Sequence, residues 1–184
     1  RGATDTVAQA KKLLKKARIS FSEDAKRGYD HGTFVPLMLM FPDAKIPVSQ
    51  ISLQENLDPD SHMKLGEALS PLRKEGVLII GSGYSYHGFF HPNPSVSPQV
   101  ASKSFDDFLQ KAVVENNGDK RFQMLRKWKS GCGHSRDAHP REEHLLPLMV
   151  VAGAAKDEKG TCIFHQDGRS AMGKITISSF AFGE

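Results

Sequence analysis

Val77-Leu-Ile-Ile80 is an unbroken aliphatic run that stops abruptly at Gly81-Ser-Gly83. A strand with one wet face alternates apolar and polar side chains. A continuous run instead marks a strand covered on both faces, as in a sheet sandwiched between helices. This stretch alone therefore predicts an α/β domain with 77–80 as a central strand. The glycines that follow let backbone approach a ligand closely, and sites in open α/β sheets gather at the carboxyl ends of strands. Tyr84-Ser-Tyr-His87 comes next, which places His87 at such an end.

The rest of the chain supplies the layers. Val7, Ala10, Leu13, Leu14 and Ala17 recur at helical spacing and predict a helix over 6–17 with lysines on its other face. A glycine-flanked turn at 27–32 leads into an apolar run with Pro36 near its start, which suits a helix, and 46–53 reads as a second buried strand. A helix is expected over 58–74, capped by Asp58 or Ser61, striped by Leu65, Leu69 and Leu72 and ended by Gly76, with His62 on its surface. The Pro- and Ser-rich stretch 91–102 reads as a loop long enough to be a lid or a partner contact. Helices follow at 104–114 and 119–129, and strands at 161–164 and 174–182. Alternating strands and helices without a linker predict one domain over 1–184, with a central, mostly parallel or mixed sheet flanked by helices.

Composition narrows the function classes. The formal net charge is +4, and the basic residues are dispersed apart from the helical cluster at 11–16. That pattern suits a solvated helix face rather than a nucleic-acid surface. No apolar run is long enough to span a bilayer. Cys132 and Cys162 match no zinc spacing and cannot build a disulfide framework, so a reducing, cytoplasmic setting is expected.

The chemistry concentrates in histidines. His139-Pro-Arg-Glu-Glu-His144 is polar and then turns apolar through Ala155, so the spacing predicts a helix opened by Pro140, with Glu142 and Glu143 favouring its amino end. His144 then stands at the mouth of an element that enters the core. His31 sits at a comparable loop-to-helix junction, and His87 follows the central strand. Imidazole is the commonest metal ligand and the usual proton carrier near neutral pH. The chain has no His-Glu-x-x-His, Gly-x-Ser-x-Gly or Walker loop. Residue by residue, the reading is a metal-assisted α/β enzyme, set against capped helices that carry surface histidines.

Longer motifs carry a resemblance. Arg27-Gly-Tyr-Asp-His-Gly-Thr-Phe-Val-Pro-Leu37, Ile46-Pro-Val-Ser-Gln-Ile-Ser-Leu53, the stretch from Leu69 through Gly83, His139-Pro-Arg-Glu-Glu-His-Leu-Leu-Pro-Leu148 and Phe180-Ala-Phe-Gly183 together resemble the class III extradiol ring-cleavage dioxygenases, in their 4,5-DOPA dioxygenase-like branch. The resemblance implies cleavage of a catechol-type ring by O₂, with non-haem Fe(II), or Zn(II) as an alternative bound metal. It implies His31 and His144 as metal ligands and His87 as the acid/base, with Gly83, Tyr86 and His139 beside the substrate. His87-Gly88 stands where the family usually has His-Asn. Family members also carry a further metal-binding histidine in an amino-terminal strand and loop, so an amino-terminal portion of the domain is expected to be missing, with a complementing segment or a homo-oligomer as its partner. The competing expectation is a metal-free binding or scaffold protein of the same fold.

Overall fold

Asp30, Asp58 and Ser97 each start a helix in the same way: the side-chain oxygen accepts a backbone N–H three residues on. The donors are Thr33 at 3.1 Å, Ser61 at 2.8 Å and Val100 at 3.4 Å. Each such cap satisfies one of the amide groups that a helix leaves unpaired at its amino end. In the computed structural model, which describes residues 2–170 and 173–183, these caps open α2 (His31–Met40), α3 (Pro59–Leu69) and α4 (Pro98–Leu109). Before them runs α1 (Thr4–Lys16). A 3₁₀ turn (Ser70–Glu75) prolongs α3 and ends at Gly76, whose φ of 78° needs a residue without a side chain. A π turn (Gln110–Val114) prolongs α4. The short α5 (Gly118–Arg126), α6 (Trp128–Gly131) and α7 (Ser135–Ala138) lead to α8 (Leu146–Ala155). An antiparallel hairpin, β1 (Gly160–Ser170) and β2 (Gly173–Phe182), closes the chain, with a bulge between Cys162 and Phe164. Arg1 and Glu184, the ends of the expected domain, lie outside the described residues.

α4 begins six residues earlier than its apolar spacing suggested, because Ser97-Pro98 is a cap followed by a proline at the first helical position. The expected loop therefore shrinks to the residues before Ser97. Its end is pinned where the Asp137 carboxylate accepts from the Ser95 N–H at 2.6 Å and from the Ser95 hydroxyl at 2.5 Å. His62, expected on the surface, is fully buried. Its Nδ1 donates to the Asp58 carbonyl at 2.7 Å, and its Nε2 accepts the Gln54 N–H at 3.0 Å. Both ring nitrogens are thus used to tie the 54–58 loop to α3.

Two buried clusters form the interior. The larger gathers Phe105, Leu109, Leu125, Trp128, Leu146, Met149 and Ile175 between α4, α8 and β2. The smaller joins Leu14 to Leu65, Leu69 and Leu72, with Val77, Ile79 and Val150 against it. α3 and α8 cross between them at two glycines. A Cβ on Gly66 would strike the Val150 carbonyl, and one on Gly153 would strike the Met63 carbonyl. Backbone cannot swing aside as a flexible side chain can. Gly66→Ala or Gly153→Ala is therefore expected to cost about 1–3 kcal/mol or more, the range for overpacked cores. A urea melt would read this as a lower midpoint at unchanged slope.

The central, mostly parallel or mixed sheet expected from the sequence is not formed among the described residues. Their one sheet is the β1–β2 hairpin, and one isolated parallel bridge joins Gly2 to Val48. Residues 49–53 and 77–83 run without helical or strand pairing. Val77 and Ile79 turn into the smaller cluster, but Leu78 and Ile80 face outward. One face of the expected central strand is therefore covered and the other is bare. Among the described residues, no helix is long and apolar enough to cross a membrane.

Candidate metal centre

His144 is placed by what surrounds it. Glu142, largely buried, takes Arg136 and Lys129 on one carboxylate oxygen, each at 2.8 Å. Arg136 also donates to the Pro140 carbonyl at 3.1 Å and lies over the Trp128 ring at 5.1 Å. α8 starts only at Leu146, later than Pro140 suggested, because Pro147 fits a first turn and not a helix interior. Residues 142–145 are consequently a turn, with the Leu145 N–H bonded to the Glu142 carbonyl at 2.9 Å. Glu143 and His144 project from this turn at the amino end of α8.

His87 arrives from the other side. The run 81–84 lies against that turn so closely that a Cβ on Gly83 would strike the His144 carbonyl, and one on Gly81 would come within 2.6 Å of the Pro147 carbonyl. The Tyr84 N–H bonds the His144 carbonyl at 3.0 Å, and the His87 N–H bonds the Ala138 carbonyl at 2.9 Å. The outcome is a face-to-face pair of imidazoles, His87 on His144, with ring centroids 3.5 Å apart and planes 18° from parallel.

Ligand atoms of His87, Glu143 and His144 all lie within 4.8 Å of one another. Glu143 Oε2 is shielded from solvent and accepts no hydrogen bond. Its cation neighbour, Arg141 Nε, stands at 3.4 Å. Arg141 compensates that buried oxygen only in part, because at 3.4 Å it makes no hydrogen bond, and a bound cation would complete the compensation. Two imidazoles and one carboxylate are also a donor set suited to a divalent non-haem metal with open positions. Burial, and next the neighbouring His87, lower the pKa of His144, which favours the neutral ring that a metal needs.

His31, expected as a ligand, is the exposed first residue of α2 and lies outside this converging group. The carbonyl of the next residue, Gly32, accepts from the Ser82 hydroxyl at 2.5 Å, one residue before the Gly83 that meets the His144 carbonyl, so the start of α2 lies beside the site. Asp30, its helix cap, is held by Gln50 Nε2 at 2.5 Å. That hydrogen bond is the leading reason the Asp30 carboxyl titrates below its ordinary value. Glu143 was not singled out as a donor in the sequence. The signal was Pro147, which bars the helix from running back through residue 143.

Of the residues expected beside the substrate, Gly83 forms the close approach just described. Tyr86 is buried, packed edge-on to Phe89 at 5.1 Å. His139 is fully buried behind the site, 4.8 Å from the Phe105 ring centroid, with Nε2 donating to the Ser85 carbonyl at 3.1 Å and Nδ1 unpartnered. Burial drives its pKa from 6.5 to about 4. A histidine depressed in the fold contributes stability that is full above its unfolded pKa and is lost as pH falls from 6.5 toward 4. The loss between about pH 7 and pH 4 is expected to be about 3 kcal/mol. His139→Gln should flatten that acid limb in urea melts; an unchanged limb would show that His139 does not titrate with unfolding.

Residues 1–177 match the family described as the catalytic LigB subunit of aromatic ring-opening dioxygenase. Among curated relatives, the 4,5-DOPA dioxygenase extradiol of Beta vulgaris is 44% identical over 89% of this chain and 59% of its own length. The protein of the same name from Mirabilis jalapa is 36% identical over 98% of this chain and 66% of its own. The chain thus spans roughly three fifths to two thirds of these relatives. The crystal structure of an uncharacterized protein from Escherichia coli K12 superposes with a TM-score of 0.76 at 25% identity, covering 97% of this chain and 72% of that one.

Proposed function

The chain belongs to the family of the catalytic LigB subunit of aromatic ring-opening dioxygenases, and on that footing we propose that it serves the extradiol cleavage of a catechol-type ring by O₂. The convergence of His87, Glu143 and His144 carries the reading, with Glu143 Oε2 buried, without a hydrogen bond and paired only loosely with Arg141 at 3.4 Å. These three would hold the divalent metal, Fe(II) for reaction with O₂, and Zn(II) would fit the same donors. Bound there, the ion would supply Lewis acidity to the catechol hydroxyls and electrons to O₂.

The remaining work falls to the chain itself. The distances favour exchanging two of the roles drawn from the resemblance: His87 belongs with the donors, and His31 is the imidazole left free to take and return the catechol proton. Phe89 packs edge-on to both Tyr84 and His87, at 6.1 and 6.0 Å, and so fixes the wall from which these side chains project. Phe90, 6.2 Å from His87 and largely exposed, offers an aromatic face to a planar substrate. Relatives named 4,5-DOPA dioxygenase extradiol favour a DOPA-like catechol. The test is to load the protein anaerobically with Fe(II), admit O₂ and a panel of catechols, and follow the yellow ring-opened semialdehyde. Product with Fe(II) and none with Zn(II) is expected. Metal and catechol bound without any product would favour a binding protein instead.

A further inference from the structure

α1 ends in a capped reversal that places an arginine where a glycine is ordinarily found. The Ile19 N–H bonds the Leu14 carbonyl at 2.9 Å, and the Arg18 N–H bonds the Lys15 carbonyl at 3.0 Å. This pair of bonds turns the chain through a left-handed residue, here Arg18 with φ 58°. A Cβ makes that conformation unfavourable, so glycine is the usual occupant. Cations near the carboxyl end of a helix suit its dipole, and Lys15 and Lys16 in the last turn already serve that purpose. The dipole alone therefore gives no reason to keep a side chain at the strained position.

Arg18 lines a cleft of about 390 Å³ between the end of α1, Gln54 and the first two turns of α3, together with Ile19, Ser20, Ser61 and Lys64. Its groups are mostly donors without acceptors. Among the described residues, neither Arg18 nor Lys64 forms an ion pair, and acids near them in the chain are engaged elsewhere. Asp60, one turn before Lys64, holds Arg126 at 2.6 Å, and Glu23 holds Lys11 at 2.6 Å. The Ser20 hydroxyl and the Gln54 side-chain amide also lack partners among the described residues. Ser61, by contrast, is taken up by the helix cap: its hydroxyl donates to Asp58 Oδ2 at 2.9 Å and accepts from Asn56 Nδ2 at 3.2 Å. The Asp58 carboxyl titrates below its ordinary value chiefly because the Ser61 N–H donates to it, and Lys64 comes last among the causes.

We propose that this cleft binds a phosphate group carried on a small molecule. The Arg18 fork can meet two phosphate oxygens side by side, and the Lys64 ammonium adds a point charge. Ser20 and Gln54 supply neutral donors to the remaining oxygen. The cleft lies within the range of small-molecule pockets, about 300–1,000 Å³, so there is room beside Ile19 for the group that bears the phosphate. The site is separate from the metal centre. α3 meets α8 with Met63 against Gly153, on the order of 10 Å along the helix from Leu146, whereas His144 precedes Leu146.

Calorimetric titration of the chain with glycerol 3-phosphate, at fixed ionic strength and with chloride as the control anion, tests this. Saturable one-to-one binding is expected. Lys64→Gln and Arg18→Gly should each weaken it at least ~10-fold, since each removes a charge-assisted contact. Stability then separates a ligand role from a structural one. Arg18→Gly relieves the left-handed residue and should hold or raise the urea midpoint, and Lys64→Gln should leave it unchanged. Absent binding, binding matched by chloride, or affinity indifferent to either substitution would overturn the proposal; phosphate taken up at the metal centre would show that indifference. A lowered midpoint in Arg18→Gly would show that the arginine is kept for the fold, and would overturn it too. Binding to phosphatidic acid vesicles without binding to glycerol 3-phosphate would assign these cations to a lipid surface instead and count equally against it. None of these readouts uses catalysis, so they stand or fall apart from the proposed activity.

Discussion

His144→Ala is expected to abolish tight binding of a divalent ion, weakening the dissociation constant by on the order of 10²-fold or more. Losing an outer partner of a metal ligand already costs about 10–100-fold, and losing a ligand costs more. His144 is the sensitive position because it shares the converging donor group with His87 and Glu143. Its neighbours keep the fold intact, because Glu142 remains paired with Arg136 and Lys129, and Leu145 and Leu146 stay buried. Circular dichroism should therefore be unchanged while an anaerobic Co(II) or Fe(II) titration loses its saturable phase. Glu143→Gln should lose affinity in the same direction, since the amide keeps the shape and removes the charge.

Replacing His31 by alanine is the converse experiment. His31 is exposed and outside the donor group, so ion affinity and melting temperature should hold, the latter to within about 0.5 kcal/mol of stability. Turnover of a catechol should fall by roughly 10²–10⁴-fold, the usual worth of a positioned acid/base. The ratio of turnover to bound iron separates this from a ligand role: it falls for His31→Ala, while a lost ligand lowers both together.

Much of this site was legible before the fold. A histidine where a loop meets an apolar element is visible in sequence, and His31, His87 and His144 all lie near such ends. The division of labour proposed for them was not visible, because it depends on which rings meet in space. Glu143 read as charge near a helix start at Pro140, well placed for chemistry but not as a donor, until Pro147 proved to set that start at Leu146. His62 looked like a first-turn surface residue, since its two partners, the Gln54 amide and the Asp58 carbonyl, come from backbone that sequence does not position. Apolar runs at 46–53 and 77–80 told which faces require cover. They could not tell which strand supplies it, because strand pairing is non-local while the pattern is local.

We propose that His87, and not His31, completes the donor set with Glu143 and His144. Bound-metal stoichiometry of His87→Ala and His31→Ala, purified and loaded side by side with Fe(II) under anaerobic conditions, tests it most directly. The geometry predicts that His31→Ala retains about one ion per chain and His87→Ala retains almost none. Full occupancy in His87→Ala together with loss in His31→Ala would contradict it and return His87 to the acid/base role.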